Sequence, residues 1–479
     1  NRTTFFRESG GQLRDDRFEG DEWGWIEVSS IRLPDGTDLA DSQRYVAPDD
    51  GNPADRTVAM VDLPGAIPPG GEVTLELDFT SQLPSIFART GAHGNYVLAG
   101  QWYPKIGVFE EDGWNCHQFH AHSEFFADFG TYDVTLTLPE EYQGKIGATG
   151  VQVDEQVADG EVTVRFVQQG VHDFAWTADP DYLVLQDRFD PETDVPAEQR
   201  SRIAGLLGVD ESELALSPVD ITLYLQPAHA NQAERYFRSA KEGIRGYGLR
   251  LGAYPYGTLT LVDPAEGAGG SGGMEYPTFI TLGTSPLLSI PPFHRMLFPE
   301  LVTIHELGHQ YFQGMIASNE FEESWIDEGI NSYYEMVVME EEYRYGIRFL
   351  GLRMSPFDQN WLPVAGVDRL RLQAPLGVQG TLRADWDPAY GIMRNAIRLR
   401  KYHRDEVNAW SARVYMKGVA RMDKVPGKVL GVRVVDVDTG IVYLSESVSE
   451  LHFKKPNKIN ERMISSRLRS RSSVSCSCA

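Results

Sequence analysis

From about residue 70 onward, apolar and polar residues alternate in short runs. Glu72, Thr74, Glu76 and Asp78 interleave with Val73, Leu75, Leu77 and Phe79. A period of two sends successive side chains to opposite faces of a strand. The same alternation fills residues 132–138, closed by Pro139, and residues 161–166. Gly and Pro punctuate these runs and long helical patterns are scarce, so residues 1–215 are predicted to form a β-rich domain. A short helix and a linker are expected within 192–216. The pattern then changes. Residues 221–225 read as a strand, 231–248 as a helix and 256–262 as another strand. A glycine-rich turn over 267–273 leads into a predicted edge strand that carries Glu275. In 300–312, Leu301, Ile304, Leu307 and Phe312 fall at near-helical spacing, and Pro299 suits a first turn, where its missing N–H costs little. Ser324-Trp325-Ile326-Asp327 resembles a capping box with Asp in the place of Glu. It predicts a helix that runs on through Tyr334 and Met339. The fold class expected is α+β, with a β-rich first domain and a sheet-plus-helix domain over 216–400.

The first of these two helices carries His305-Glu306-Leu307-Gly308-His309. Residues four apart share a helix face, so His305 and His309 can bind one metal ion together. Glu306 lies beside them, placed to reach a water in the open coordination position. A bare pattern of this kind recurs by chance. Glu328, nineteen positions beyond His309 on the second helix, makes the signal specific. Two imidazoles and one carboxylate, with a position left for water, describe a catalytic rather than a structural zinc site, with one Zn2+ per chain. The bland alternative is an amphipathic helix with two solvated histidines.

Charge divides the chain. Of 479 residues, 44 are Lys or Arg and 69 are Asp or Glu, a formal charge of −25. This excludes nucleic acid as an expected partner. It suits a site that attracts cationic groups, although acidity also serves solubility. Beyond residue 400 the balance reverses: 15 basic residues stand against 8 acidic ones, and seven of the ten lysines lie there. The sequence over 401–479 predicts either a separate basic module or a tail that is not the natural continuation, with little folded structure past about 456. Three cysteines, Cys116, Cys476 and Cys478, imply no disulfide framework. No apolar run approaches the roughly 18 residues that span a bilayer. The chain opens at Asn1 with no signal-peptide pattern, so it reads as a mature chain or a fragment, and neither its compartment nor its oligomeric state is legible.

These residues resemble the aminopeptidase N family of gluzincin metallopeptidases. Two motifs carry the resemblance in the right order: His305, Glu306, His309 and Glu328, and Gly272-Gly273-Met274-Glu275-Tyr276, which is similar to the family's G-x-M-E-N. Gly100-Gln101-Trp102-Tyr103-Pro104 also looks like the N-terminal β domain of bacterial members. The resemblance covers roughly residues 60–395. It implies a β-rich domain on a thermolysin-like catalytic domain, without the family's helical C-terminal domain, and a hydrolase that removes N-terminal residues from peptides. By the same resemblance, zinc is held by His305, His309 and Glu328, Glu306 is the general base, and Gly272, Gly273, Met274 and Glu275 bind substrate, with Glu275 on its ammonium. Three departures stand out. Tyr276 replaces the motif's Asn. The family's Q-x-E glutamate would fall near Asn95, where no Q-x-E occurs. The transition-state tyrosine is expected about sixty residues past the third ligand: Tyr390 has the distance and Tyr415, in Tyr415-Met416-Lys417-Gly418, has the local context. We assign Tyr390.

Two other features weigh less. His117, His120 and His122 invite a second metal site, but no acidic or cysteine ligand set shares their spacing, and a polar strand face is the expectation. The glycines of 267–273 precede no Gly-Lys-Ser/Thr, so they form no phosphate loop. Three readings therefore compete: a zinc aminopeptidase, a zinc peptidase of the same fold with different specificity, and a non-catalytic peptide-binding remnant.

Overall fold

The structure, a computed structural model, describes residues 4–9, 12–13, 16–17, 23–110, 113–120, 124–283, 288, 296–316 and 318–343. Beyond these it describes the backbone of strands at 348–349, 352–353, 409–422, 428–429, 432–433, 440–454 and 458–470.

The first half is β-rich. Gly130–Pro139, Glu161–Val171 and Val151–Ala158 form an antiparallel three-stranded sheet with the longest strand in the middle. Alternation does the work: Val162, Val164 and Phe166 turn into a small core with Leu136, while their neighbours face out. Ile146–Ala148, Trp176–Ala178, Tyr96–Ala99 and Gly91–His93 make a second sheet. The alternating run expected from residue 72 becomes a strand only at Glu76–Gln82, paired with Trp25–Arg32.

The second half is built on one sheet of four strands, β1 (Leu183–Phe189), β2 (Val219–Leu225), β3 (Thr258–Val262) and β4 (Phe279–Thr281), in that spatial order. β1 is antiparallel to β2, and β2, β3 and β4 run parallel. The sheet thus draws on both sides of residue 215. β2 (VDITLYL) and β3 (TLTLV) are buried along most of their length, with Asp220 of β2 exposed. Helix α1 (Ala233–Leu251) crosses between them and packs on α2 (Phe298–Phe312), which packs on α3 (Ile330–Tyr343). Ile244, Tyr247, Ile304, Leu307, Phe312, Tyr334 and Val338 fill the core between these helices. α2 begins with Pro299 at its first positions, as expected.

A third core, with Tyr96, Leu98, Tyr182, Tyr224, Met274, Tyr276 and Phe279, joins the β-rich half to the glycine segment. Asp173 ties the Gln101–Lys105 stretch to the same region: Tyr103 Oη donates to it at 2.9 Å and Lys105 Nζ at 3.0 Å. In the tail, Ala409–Met422, Gly440–Lys454 and Lys458–Ser470 form an antiparallel sheet. The last of these strands lies where the sequence suggested little folded structure, its backbone paired along Gly440–Lys454.

Candidate metal centre

His305 and His309 sit on successive turns of α2, and their Nε2 atoms face each other at 3.2 Å. Glu328 Oε2 lies 3.4 Å from His305 Nε2 and 3.7 Å from His309 Nε2. Ligands around one tetrahedral zinc, each about 2.0–2.2 Å from it, stand roughly 3.3 Å apart, so the three atoms occupy three corners of such a site.

The other edges of both rings are committed. His305 Nδ1 is 2.7 Å from Glu335 Oε2, and His309 Nδ1 is 2.5 Å from Asp327 Oδ1. A carboxylate at Nδ1 accepts a hydrogen bond from Nδ1–H, holds the proton there and leaves the lone pair on Nε2. Two lone pairs and a carboxylate oxygen then point at one spot, an arrangement that repels itself unless a cation fills it. The ionisation tendencies agree. Burial disfavours a charged His309, yet Asp327 outweighs it and lifts the imidazole to about 9. His305 is raised well above the usual histidine range: burial opposes the charge, and Glu328 and Glu335 override it. Burial alone would raise Glu328, but the two imidazoles hold it at about 2. Protons and a metal ion compete for the same lone pairs here. The donor set therefore fits zinc.

Glu328 does not lie in a regular α-helix. Trp325–Gly329 forms a π-helical turn that leads into α3, and Ser324 makes no side-chain cap. The capping box is not formed because Asp327, its acidic member, is fully buried and bound to His309 instead. π-turns are frequent at functional sites. Asn331 Nδ2 donates to the His305 carbonyl at 2.9 Å and locks α3 to the metal-facing turn of α2.

Glu306 is 5% exposed and lines a cavity of about 600 Å³ together with His305, His309, Glu328 and Glu275. Glu275 is not within a regular strand. Met274 makes a single antiparallel bridge to Thr281 of the edge strand β4, and a turn follows. Buried Met274 and Tyr276 anchor the segment on either side of Glu275. Gln310, next to His309, clamps it: its Nε2 donates to the carbonyls of Glu275 at 3.0 Å and Tyr276 at 3.1 Å, and its Oε1 accepts from Thr278 N at 2.8 Å. Gly272 is required by close approach, since a Cβ there would stand 2.4 Å from the Leu282 carbonyl oxygen. Gly273 has φ +68°, a conformation that favours glycine. Tyr276, where the motif has Asn, reaches toward the Arg89 carbonyl at 3.4 Å and fills the space that a side chain at Gly100 would need.

Sequence reasoning missed the company Glu275 keeps. Carboxylate oxygens of Glu124, Glu275 and Glu320 lie within 4.8 Å of one another. Glu124 is paired through both oxygens with Arg89. Burial pushes Glu275 and Glu320 well above the usual carboxylate range, and the neighbouring carboxylates add to it. Asn95, where a Q-x-E glutamate was expected, is exposed in the turn just before the Tyr96–Ala99 strand. The only signal in the sequence was the acidic stretch just before Trp325.

Among the described residues, His117 and His120 join no group placed to hold a metal ion. Each ring is held by carboxylates: His117 by Asp49 at 2.8 Å and Glu322 at 3.2 Å, and His120 by Glu8 at 2.8 Å and Asp49 at 2.9 Å. Residues 116–120 lie in no strand, so the expectation of a polar strand face is not met at His117 and His120. His122 and Tyr390 lie outside the described residues. Tyr415 lies in the strand Ala409–Met422.

Residues 392–477 match a family model described as a family of unknown function (DUF5686), which leaves the segment from Gly272 to Glu328 unmatched. No curated protein matches the chain. Among solved structures the chain is similar to an M1 zinc metallopeptidase from Deinococcus radiodurans, with 16% identity, 67% of this chain and 62% of that chain covered, and a TM-score of 0.41. It is also similar to Legionella pneumophila aminopeptidase A in complex with aspartic acid, with 10% identity, 95% of this chain and 53% of that chain covered, and a TM-score of 0.46. The chain thus spans less than two thirds of either protein's length. Among the described residues no helix is long and apolar enough to cross a membrane.

Proposed function

We propose that this chain is a zinc-dependent peptidase of the aminopeptidase type, acting on short peptides. The observation that carries it is the convergence of His305 Nε2, His309 Nε2 and Glu328 Oε2, each imidazole backed by its own carboxylate. When bound, zinc would polarise the scissile carbonyl and lower the pKa of water toward about 7. Glu306 takes the attacking water's proton and delivers it to the leaving amine. Tyr390 is proposed as the donor to the oxyanion, a contact that strengthens as charge develops.

The aminopeptidase reading rests on Glu275 and Glu320. Glu320 is buried and Glu275 half-buried, and carboxylates crowded this closely favour a cation between them. A substrate ammonium offers three donors and a positive charge, which answers both carboxylates. Glu124, neutralised by Arg89, shapes the wall of the same cavity. That ion pair favours one second reading, a same-fold peptidase whose amine recognition is weak. Hydrolysis of free and N-acetylated peptides by the zinc-loaded protein decides. Cleavage of free peptides at least a hundredfold faster supports the aminopeptidase, equal rates support the broader peptidase, and no cleavage of either supports a peptide-binding remnant.

A further inference from the structure

Glu320 enters the acidic cluster from a turn, residues 320–322, between α2 and α3. Its carboxylate stands within 4.8 Å of those of Glu275 and Glu124, which line the cavity. It is 5% exposed, and burial first, then the carboxylates of Glu275, Asp327 and Glu124, disfavour its charge. A turn free to move would carry such a side chain out to water. Local bonds close the turn: Asn319 Oδ1 accepts from Glu322 N at 3.0 Å, and Asn319 Nδ2 donates to Glu322 Oε2 at 3.0 Å. They do not fasten it to the β-rich half.

His117 does. Its ring stacks on Phe321, with centroids 3.7 Å apart and planes 10° from parallel. Its Nε2 lies 3.2 Å from Glu322 Oε1. The two residues it touches are the two that follow Glu320 in the chain, so fixing them fixes where Glu320 can reach. His117 itself stands on a braced base. Its Nδ1 faces Asp49 Oδ1 at 2.8 Å, and Asp49 Oδ2 accepts from Gln118 N at 2.7 Å. Gln118 is buried, and its Oε1 accepts from Asp49 N at 3.1 Å. His120, 2.9 Å from Asp49 Oδ2, sets its ring 5.6 Å from that of Phe321. Phe321 is thus met by both imidazoles.

We propose that His117 is a positioning residue for amine recognition: by holding Phe321 and Glu322 it keeps Glu320 beside Glu275, without touching the substrate. This inference rests on the aminopeptidase reading above and adds to it a residue remote from the metal ligands in sequence. An ammonium bound at Glu275 supplies a counter-charge to Glu320 as well, and that attraction tightens amine binding. Lost from the cluster, Glu320 would no longer contribute it.

The test is a double-mutant cycle between His117→Ala and Glu320→Gln on the zinc-loaded full chain. Leu-Gly-Gly is the substrate, and its des-amino analogue, isocaproyl-Gly-Gly, is a competing ligand. Glu320→Gln should raise KM for the peptide about tenfold, the order of effect of one charge on another at this separation. His117→Ala should raise it about threefold or more, with kcat within about twofold and the inhibition constant of the des-amino analogue unchanged. A mere loss of folded protein would lower kcat and leave both constants alone. In the double variant KM should match that of Glu320→Gln alone, since no carboxylate remains to be placed. His117→Phe keeps the stack and should recover part of the loss. Phe321→Ala removes the stack from the other side and should reproduce His117→Ala, which covers the case in which that variant does not fold. An unchanged KM in both alanine variants overturns the proposal, as do effects that add fully in the double variant. If Glu320→Gln leaves KM unchanged, the amine-binding role of Glu320 fails and the proposal with it; if only the alanine variants do, the proposal fails alone. If no peptide is hydrolysed, the peptidase reading fails, and equilibrium binding of the two ligands to the same set of proteins decides by the same pattern.

Discussion

Glu306 and the two imidazoles beside it differ in how much of their role the sequence revealed. Ligand type and spacing announced His305, His309 and Glu328. Nothing announced Asp327 and Glu335 as the partners of Nδ1, because a capping-box reading of Asp327 was equally available from its position. For Glu306 the prediction is direct. Glu306→Gln keeps the shape and loses the proton acceptor, so kcat should fall at least a hundredfold, in line with what a general base contributes, while zinc content is unchanged. Steady-state kinetics beside metal analysis checks both. His172 offers a separate prediction about stability. Burial is its main influence and holds its pKa down at about 4, below the ordinary 6.5. The unfolded chain therefore takes up a proton near pH 6.5 that the folded chain refuses until about 4. Stability from this residue is intact above pH 6.5 and falls as pH drops through that window, by about 3 kcal/mol at most. Denaturant unfolding at pH 7 and pH 4.5 should show a smaller difference in His172→Gln than in the unsubstituted protein.

At the scale of elements, the helix over 298–312 was legible because burial on several sides leaves a plain apolar period, and the strands Val219–Leu225 and Thr258–Val262 because β-branched and apolar residues alternate in them. The π-helical turn at Trp325–Gly329 was not legible, since it depends on a bond from Asp327 to a histidine eighteen residues away. The predicted edge strand shrank to one bridging residue for a similar reason: Gln310 on α2 satisfies the backbone of 275–278 that a strand partner would otherwise have held. Gly308 shows how tightly these elements meet. A Cβ there would stand 1.8 Å from Asn331 Oδ1 and 2.5 Å from Tyr247 Oη, so α1, α2 and α3 all converge on this one position. Helix propensity favours Ala over Gly by about 1 kcal/mol, but overpacking opposes it with about 1–3 kcal/mol. Gly308→Ala should lower the melting temperature by several degrees and weaken zinc retention, because Asn331 also holds the His305 carbonyl. A melting temperature raised by the substitution would show that the three helices are looser than described.

Across the whole molecule, the mixed α+β class was readable from period alone, but the pairing of Leu183–Phe189 with Val219–Leu225 across residue 215, and the residues that meet around Glu275, were not. Glu124 comes from the β-rich half, Glu275 from the glycine segment and Glu320 from the loop between α2 and α3. Only folding places them within 4.8 Å. The sequence suggested a missing glutamate near Asn95, and the structure brings Glu124 and Glu320 to Glu275 from distant parts of the chain. The central claim is that one zinc ion joins α2 to the turn before α3. Zinc per chain after exhaustive dialysis, measured by atomic emission on the full chain and on His309→Ala, tests it most directly. The account predicts close to one zinc per chain in the first and nearly none in the second. Full zinc content in His309→Ala, or none in the unsubstituted protein after zinc loading, would contradict it.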